Sequence, residues 1–295
     1  MSIDVPLVSV IITTRNRRND LNKCIKSICD SNFNSFELIV VDDASDTPVK
    51  LILDSNSVVP IIIRNDKRSL LSYSRNIGGN VSRGKYLFFI DDDNVVSKDC
   101  ISNLVKVMNL STLISVTSPV AYFLKRPEII WTSVISKGRF PGSYLINSYN
   151  PNKPVHTDSF HNAFMIRADH FNSIGRFDEI LFPVHFSEID FAIRIREKGL
   201  KIINVPDAKV WHNISQGKLN VDSTRSFYTL RNRILLLKKH GTRKELFLYL
   251  IGILPLQSLF YVIHHSNYST DNKLKTVFRL LTGIIDGLTK PVFHQ

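Results

Sequence analysis

Apolar positions along the first hundred residues follow two alternating rhythms. Leu7 to Thr14 is a continuous β-branched run, as a strand buried on both faces requires, and Leu21, Cys24, Ile25 and Ile28 then recur at helical spacing. Glu37 to Val41 repeats the strand signal and stops at Asp42-Asp43, and Val59 to Ile63 predicts a third strand. A helix over about Leu70 to Val81 leads into Tyr86-Leu87-Phe88-Phe89-Ile90, which ends abruptly on Asp91-Asp92-Asp93. This βαβα alternation implies an α/β fold, a parallel sheet with helices on both faces. In open sheets of this kind ligands bind beyond the carboxyl ends of the strands. That rule gathers Thr13-Thr14-Arg15-Asn16, Asp42-Asp43 and the aspartate triplet on one edge.

Three adjacent carboxylates repel one another, and a hard divalent cation such as Mg²⁺ or Mn²⁺ offsets the repulsion through oxygen ligands. The plainer alternative is a solvated acidic turn. The chain has 295 residues, enough for one large α/β domain or for a domain with an appendage. The amino terminus shows no basic segment followed by an apolar one, so a cytosolic domain is expected. Cys24, Cys29 and Cys100 match no zinc spacing and read as reduced thiols, the first two as ordinary residues of the first helix.

The formal net charge of +12 is concentrated late in the chain, where 12 Lys and Arg stand against 4 Asp and Glu between Gly217 and Gln295. Long apolar runs separate these charges, which favours an anionic membrane surface over nucleic acid. Arg225 to His240 reads as a basic helix. Leu246 to Ile263 is a largely apolar run of about 27 Å as a helix, barely enough to span a bilayer. Pro255 and Gln257 interrupt it, and Lys238, Lys239, Arg243, Lys244, Lys273 and Lys275 flank it, which favours both ends on the cytosolic side. An in-plane or re-entrant helix pair is therefore preferred over a span. Leu274, Val277, Phe278, Leu281, Ile284, Ile285 and Leu288 form a following amphipathic stripe, whose competing role is packing on the catalytic domain or another subunit.

Four segments in order carry a family resemblance: Val8 to Asn16, Leu38 to Ser45, Ser74-Arg75-Asn76-Ile77-Gly78 and Phe89 to Asp93. They resemble successive motifs of family 2 glycosyltransferases, over about Val8 to His212. The resemblance implies a GT-A fold, a nucleotide-diphosphate sugar donor, a divalent metal and inversion at the anomeric carbon. It divides the chain into a catalytic domain over about 1–215, with a donor half to about 118 and an acceptor half from about 119, and a basic helical membrane-associating tail over 216–295. Tyr228-Thr229-Leu230-Arg231-Asn232-Arg233 resembles an element of rhamnosyltransferase-like members.

Roles follow by matching motifs. Thr13, Arg15, Asp42, Asp43, Arg75, Asp91 and Asp92 are the implied donor-binding residues; an acidic side chain after the second strand can accept from a base or ribose, and Arg75 offers a planar fork to phosphate. One of Asp42 and Asp43 can instead cap the following turn. Asp93 and His212 are the implied metal ligands, and Asn76 is expected to bond local backbone. Pro119 to Pro154 reads as a less regular acceptor loop, with His161 and Asn162 near the sugar, and Asp178 and Glu179 as structural residues of the Gly175-Arg176-Phe177 turn.

An inverting transfer needs a general base for the acceptor hydroxyl. The implied catalytic pair is Glu188 and Asp190, in Ser187-Glu188-Ile189-Asp190, where Ser187 replaces an acid of the family pattern. Residues two apart on a helix are rotated by about 200°, so the two acids face different ways; Glu188 is the preferred base, and Asp190 could close a capping box with Ser187. The expected acceptor is a glycan or a lipid-linked molecule at the cytosolic membrane face. The alternative is a membrane-associated scaffold of the same fold that binds nucleotide without turnover, for which Ser187 is the only sequence support.

Overall fold

Strand β1 (Val8–Thr14) is followed by helix α1 (Arg18–Cys29), strands β2 (Phe36–Asp42) and β3 (Ile61–Arg64), helix α2 (Leu71–Val81), strands β4 (Tyr86–Asp91) and β5 (Asn94–Val96) and helix α3 (Cys100–Met108). The structure is a computed structural model that describes residues 5–51, 58–138, 143–213, 223–268 and 273–292. The division placed near residue 215 and the first residues, Met1 to Asp4, lie outside these.

The predicted βαβα alternation is present. β1 pairs in parallel with β2 and β4, and β2 with β3. Both faces of the central strands are buried because alternate residues enter different cores. Val10, Ile12, Val40 and Phe88 pack with Leu21, Cys24, Ile25 and Ile28 of α1 and with α3. Ile11, Val41, Leu87 and Phe89 pack on the opposite side. β3 differs from the buried strand predicted: it starts at Ile61 and is largely exposed, since it forms the sheet edge and has a partner on one side only.

The following hundred residues are more ordered than their sequence indicated. They comprise β6 (Ile114–Phe123), β7 (Arg126–Thr132), β8 (Ile135–Lys137), β9 (Tyr144–Ile146), β10 (Val155–His156), β11 (Ala163–Arg167), α4 (Ala168–Ser173), α5 (Ser187–Glu197) and β12 (Lys201–His212). β11 runs antiparallel between β4 and β6, and β12 lies parallel to β6. The path through the ten-stranded sheet is β10-β12-β6-β11-β4-β1-β2-β3. Within the expected irregular loop, β7 folds back on β6 and β8 pairs with β9.

Four helical segments follow: α6 (Ser223–His240), α7 (Arg243–Leu248), a π-helical stretch at Tyr249–Ile253 leading directly into α8 (Leu254–Tyr268), and α9 (Lys273–Thr289). Pro255 does not break the run. A proline cannot donate to the preceding turn, and the wider π geometry just before it absorbs the mismatch. Among the described residues, Arg243–Ile263 is the one helix long and apolar enough to cross a membrane.

Helix α9 is apolar on two sides. Thr276, Leu280, Gly283 and Gly287 form a buried face against α6, where a side chain at Gly283 would meet the Phe227 carbonyl. Leu274, Phe278, Leu281, Ile285 and Leu288, most of the predicted stripe, remain exposed, as do Phe247, Ile251, Leu256, Leu259 and Phe260 of the preceding run. Two of the flanking lysines are internal ties instead. Lys238 donates to the carbonyls of Gly287, Leu288 and Lys290, and Lys239 is buried against Asp178 and Asp190.

Candidate active site

The parallel register places Thr13 beside Asp91 on β4, so the first and last polar clusters share one sheet edge. There Thr13, Thr14, Arg15, Arg17, Asp43, Arg68, Asp91, Asp92 and Val184 are among the residues lining a cavity of about 300 Å³.

The three aspartates are not equivalent. Asp91 accepts from Arg75 at 3.0 Å. Asp92 is buried, accepts from Thr14 at 2.6 Å and lies 3.3 Å from Arg17; burial pushes its carboxyl up to about 7. Asp93 accepts from Arg17 at 2.7 Å and lies 3.1 Å from Nε2 of His212. Burial acts to raise Asp93, but His212 and Arg17 outweigh it and hold the carboxyl below its usual range. β12 brings His212 there by pairing it with Asn94, next to Asp93.

The two carboxylates after β2 divide. Asp42 turns away into a cap: it accepts from the Ser45 amide at 2.9 Å and from Arg64 at 2.6 Å, and it does not line the cavity. Asp43 stays on the cavity wall and organises it, accepting from Asn65, Ser69 and Leu70. Arg15 lines the same wall, 3.6 Å from Asp46.

Arg75 is not set out as a phosphate fork. It is 1% exposed, lies over the rings of Phe164 and Phe177, and bridges Asp91 to Glu188, donating to the latter at 2.5 Å. Its neighbour Asn76 reaches far from its own helix instead of bonding locally, exchanging hydrogen bonds with the Phe177 backbone and donating to Glu179 at 2.8 Å. Asn76 thereby fastens α2 to the Gly175-Arg176-Phe177 turn, in which Gly175 and Arg176 both have positive φ.

Glu188 stands at the start of α5. Arg75 holds one of its oxygens, and Ser187 donates to the other at 2.9 Å. Burial works to raise the Glu188 carboxyl, and Arg75 more than offsets it, leaving it below its usual range. The predicted capping box does not form. Phe186, with left-handed backbone, occupies the cap position, and the Asp190 amide bonds the Phe186 carbonyl. Ser187 therefore serves Glu188.

The structure does not bring Asp190 to this pocket. Fully buried on another side of α5, it meets Arg194 at 2.8 Å, Lys239 at 2.9 Å and His240 at 2.8 Å, and its carboxyl is pulled down to about 2 by these partners against the opposing effect of burial.

A second cavity of about 260 Å³, mostly apolar, is lined by Glu188, with Trp131, Tyr144, Ile146, His161, Asn162 and Phe186 among its other walls. His161 is buried, with Nε2 2.8 Å from the Pro119 carbonyl, and burial lowers it to about 4, so it is neutral at physiological pH. Asn162 lies 3.3 Å from His212 and so touches both halves of the site. Sequence reasoning missed Thr14, Arg17, Arg68, Trp131, Tyr144 and Phe186. Of these, Thr14 carried a signal as part of the cluster Thr13-Thr14-Arg15-Asn16, Arg17 as part of the run Arg15-Asn16-Arg17-Arg18 at a strand end, and Trp131 and Tyr144 only by falling within the Pro119 to Pro154 loop.

A sheet whose strand ends carry this triplet, joined to a mixed parallel and antiparallel half with its own cavity, is the GT-A arrangement. The solved structure of GalNAc-T7 with UDP, GalNAc and Mn²⁺ superposes with a TM-score of 0.67 at 18% identity, covering 98% of this chain and 57% of that one. The profile of glycosyl transferase family 2 matches residues 9–171, and the chain belongs to that family. Among curated relatives, mouse polypeptide N-acetylgalactosaminyltransferase 16 is 27% identical over 72% of this chain and 41% of its own length. The GalNAc(5)-diNAcBac-PP-undecaprenol beta-1,3-glucosyltransferase of Campylobacter jejuni is 31% identical over 36% of this chain and 35% of its own length. The chain thus spans well under half the length of these relatives.

Proposed function

We propose that this protein is an inverting glycosyltransferase that moves a sugar from a nucleotide-diphosphate donor to a hydroxyl of a glycan or lipid-linked acceptor. The observation that carries this reading is the position of Glu188, a carboxylate on the wall of the apolar cavity that Arg75 keeps ionised and ties to Asp91 on the wall of the polar, arginine-lined one. The donor belongs in the first, with Asp43 near the nucleoside, and Arg15, Arg17 and Arg68 supplying positive charge for a diphosphate. The acceptor belongs in the second, where its apolar ring face meets aromatic walls and its hydroxyl reaches Glu188. Glu188 takes the hydroxyl proton during in-line attack. Asp91, fixed by Arg75, orients the donor sugar.

The residues fit a divalent cation such as Mn²⁺ or Mg²⁺. Asp93 and the Nε2 of His212 converge at 3.1 Å, and the Arg17 guanidinium already sets positive charge against Asp92 and Asp93. Among the described residues no group of three such side chains forms a complete cage, which suits an ion held by few protein ligands together with substrate phosphates. Such an ion, when bound, neutralises charge that builds on the departing diphosphate. The mixed carboxylate and imidazole pair agrees with the Mn²⁺ named for the GalNAc-T7 structure.

The exposed apolar faces of α7 to α9, with exposed Arg243, Lys244, Lys275 and Arg279 beside them, support attachment to the cytoplasmic face of a membrane. The undecaprenol-linked substrate in the name of the Campylobacter relative agrees with this placement. Assignment to a rhamnosyltransferase-like branch rests on Tyr228 to Arg233 alone. The enzyme reading is tested with UDP-, GDP- and dTDP-sugars plus Mn²⁺, following nucleotide release and acceptor mass by mass spectrometry. Turnover of at least one donor is expected; nucleotide binding with no turnover of any would favour the silent scaffold.

A further inference from the structure

The segment between the Gly175-Arg176-Phe177 turn and α5 forms the partition between the two cavities. Val184 lines the donor side, and Phe186 lines the acceptor side with Glu188. Its backbone is strained where it matters most. His185 and Phe186 are consecutive non-glycine residues with φ of 56° and 63°, a conformation costing about 1–2 kcal/mol for each residue. Such a pair persists only where its surroundings hold it, and it sets the direction in which α5 presents Glu188.

The restraint comes from two helices. From Leu181 to His185, five consecutive backbone carbonyls each accept a hydrogen bond from outside the segment. Ser72 of α2 takes two of them, its hydroxyl donating to Phe182 at 2.5 Å and its amide to Pro183 at 3.0 Å. The other three are taken by neighbouring residues of α6. Arg231 donates to Leu181 at 2.6 Å, and the Asn232 amide donates to Val184 at 2.8 Å and His185 at 3.0 Å. Asn232 is fully buried, and its own oxygen accepts from Arg231 at 2.6 Å. Arg231 is fixed in turn by Asp286 of α9 at 2.5 Å, and the Arg233 guanidinium lies 5.1 Å from the Phe186 ring centroid.

We propose that Asn232, supported by Arg231, is a positioning residue of the active site, holding the Val184–Phe186 partition so that Glu188 meets the acceptor hydroxyl. The first helix of the tail is on this account part of the catalytic scaffold as well as the root of the membrane-facing helices. The proposal rests on the reading of Glu188 as the base. It assigns a use to the Tyr228–Arg233 element, which neither the donor nor the acceptor chemistry otherwise employs.

The test compares Asn232→Ala, Glu188→Gln and the double variant in the full-length protein. Transfer is followed with the donor panel, and binding of UDP, GDP and dTDP with Mn²⁺ by titration calorimetry. Misplacement of a reacting group by about 1 Å costs roughly a hundredfold in rate. Asn232→Ala is therefore expected to lower kcat by about that factor, to leave nucleotide affinity within about twofold, and to add nothing to the loss already caused by Glu188→Gln. Should Asn232→Ala fail to fold, Arg231→Lys keeps a positive charge but loses the guanidinium that bonds Asp286 through Nε while its Nη1 reaches Leu181 and Asn232, and kcat should fall with binding intact. If Glu188→Gln retains turnover, the base reading fails whatever Asn232 does. If Glu188→Gln is inactive but the Asn232 and Arg231 variants keep full kcat, or lose nucleotide binding in step with kcat, the positioning role is wrong.

Discussion

Replacing Asp190 by Asn should damage stability far more than nucleotide binding. The carboxylate is fully buried and accepts from Arg194 on its own helix and from Lys239 and His240, which join α5 to α6. Its carboxyl titrates at about 2 against an ordinary 3.8, and at about 1.4 kcal/mol for each unit the difference corresponds to roughly 2–3 kcal/mol. Removing one partner of a buried ion pair costs about 3–5 kcal/mol, because the cations left behind lose their counter-charge. The two estimates overlap at about 3 kcal/mol, roughly 5 °C in Tm for a chain of this size. A lowered carboxyl stabilises the fold above its unfolded value and loses that effect as pH falls through the folded one. Urea unfolding of both proteins should therefore show the full gap at pH 7, narrowing as pH drops from about 4 toward about 2. A gap within about 0.5 kcal/mol at pH 7, or one that widens in acid, would refute the reasoning.

Other outcomes follow from the same geometry. Gly78→Ala would drive a methyl group into Ile11 and press on Val41 at 3.3 Å, where α2 rests on the sheet; a loss of about 1–3 kcal/mol is expected in thermal or urea unfolding. Arg75→Met removes the main influence that holds the Glu188 carboxyl down against burial, leaving only its Ser187 and backbone hydrogen bonds, so the carboxyl rises and the acid limb of kcat/KM against pH moves to higher pH; an unmoved limb would exclude the Arg75–Glu188 pairing. Serine at Leu274, Phe278, Leu281 and Ile285 together, each more than half exposed, removes on the order of 4 kcal/mol of apolar burial, about a thousandfold in partitioning. Flotation with anionic vesicles measures this, and unchanged binding would detach the stripe from membrane association.

The first hundred residues were legible because their pattern is local. β1, β2 and β4 are continuous apolar runs, and the residues that end them fall on the sheet edge by topology alone. What the sequence hid depends on long-range pairing. Arg75 read as a phosphate fork, yet its partner Glu188 lies 113 residues away, and burial between Phe164 and Phe177 decides its role. Asp42 and Asp43 are adjacent and chemically identical, and only Arg64 and the Ser45 amide, against Asn65 and Leu70, separate them. β6 escaped notice because the buried polar residues Ser115, Thr117 and Ser118, followed by Pro119, disturb its apolar pattern. On α9 the helix-packing face consists largely of Thr276, Gly283 and Gly287, small residues that an apolar stripe does not register.

Glu188 carries the account, and its isosteric replacement tests it most directly. Glu188→Gln keeps the shape, a hydrogen-bonding oxygen for Arg75 and the Ser187 contact, but removes the base. With a donor from the nucleotide-sugar panel, Mn²⁺ and acceptor, transfer should fall by about 10²–10⁴-fold while the donor's nucleoside diphosphate binds with unchanged affinity. Transfer at or near the wild-type rate would contradict the account and place the proton acceptor elsewhere.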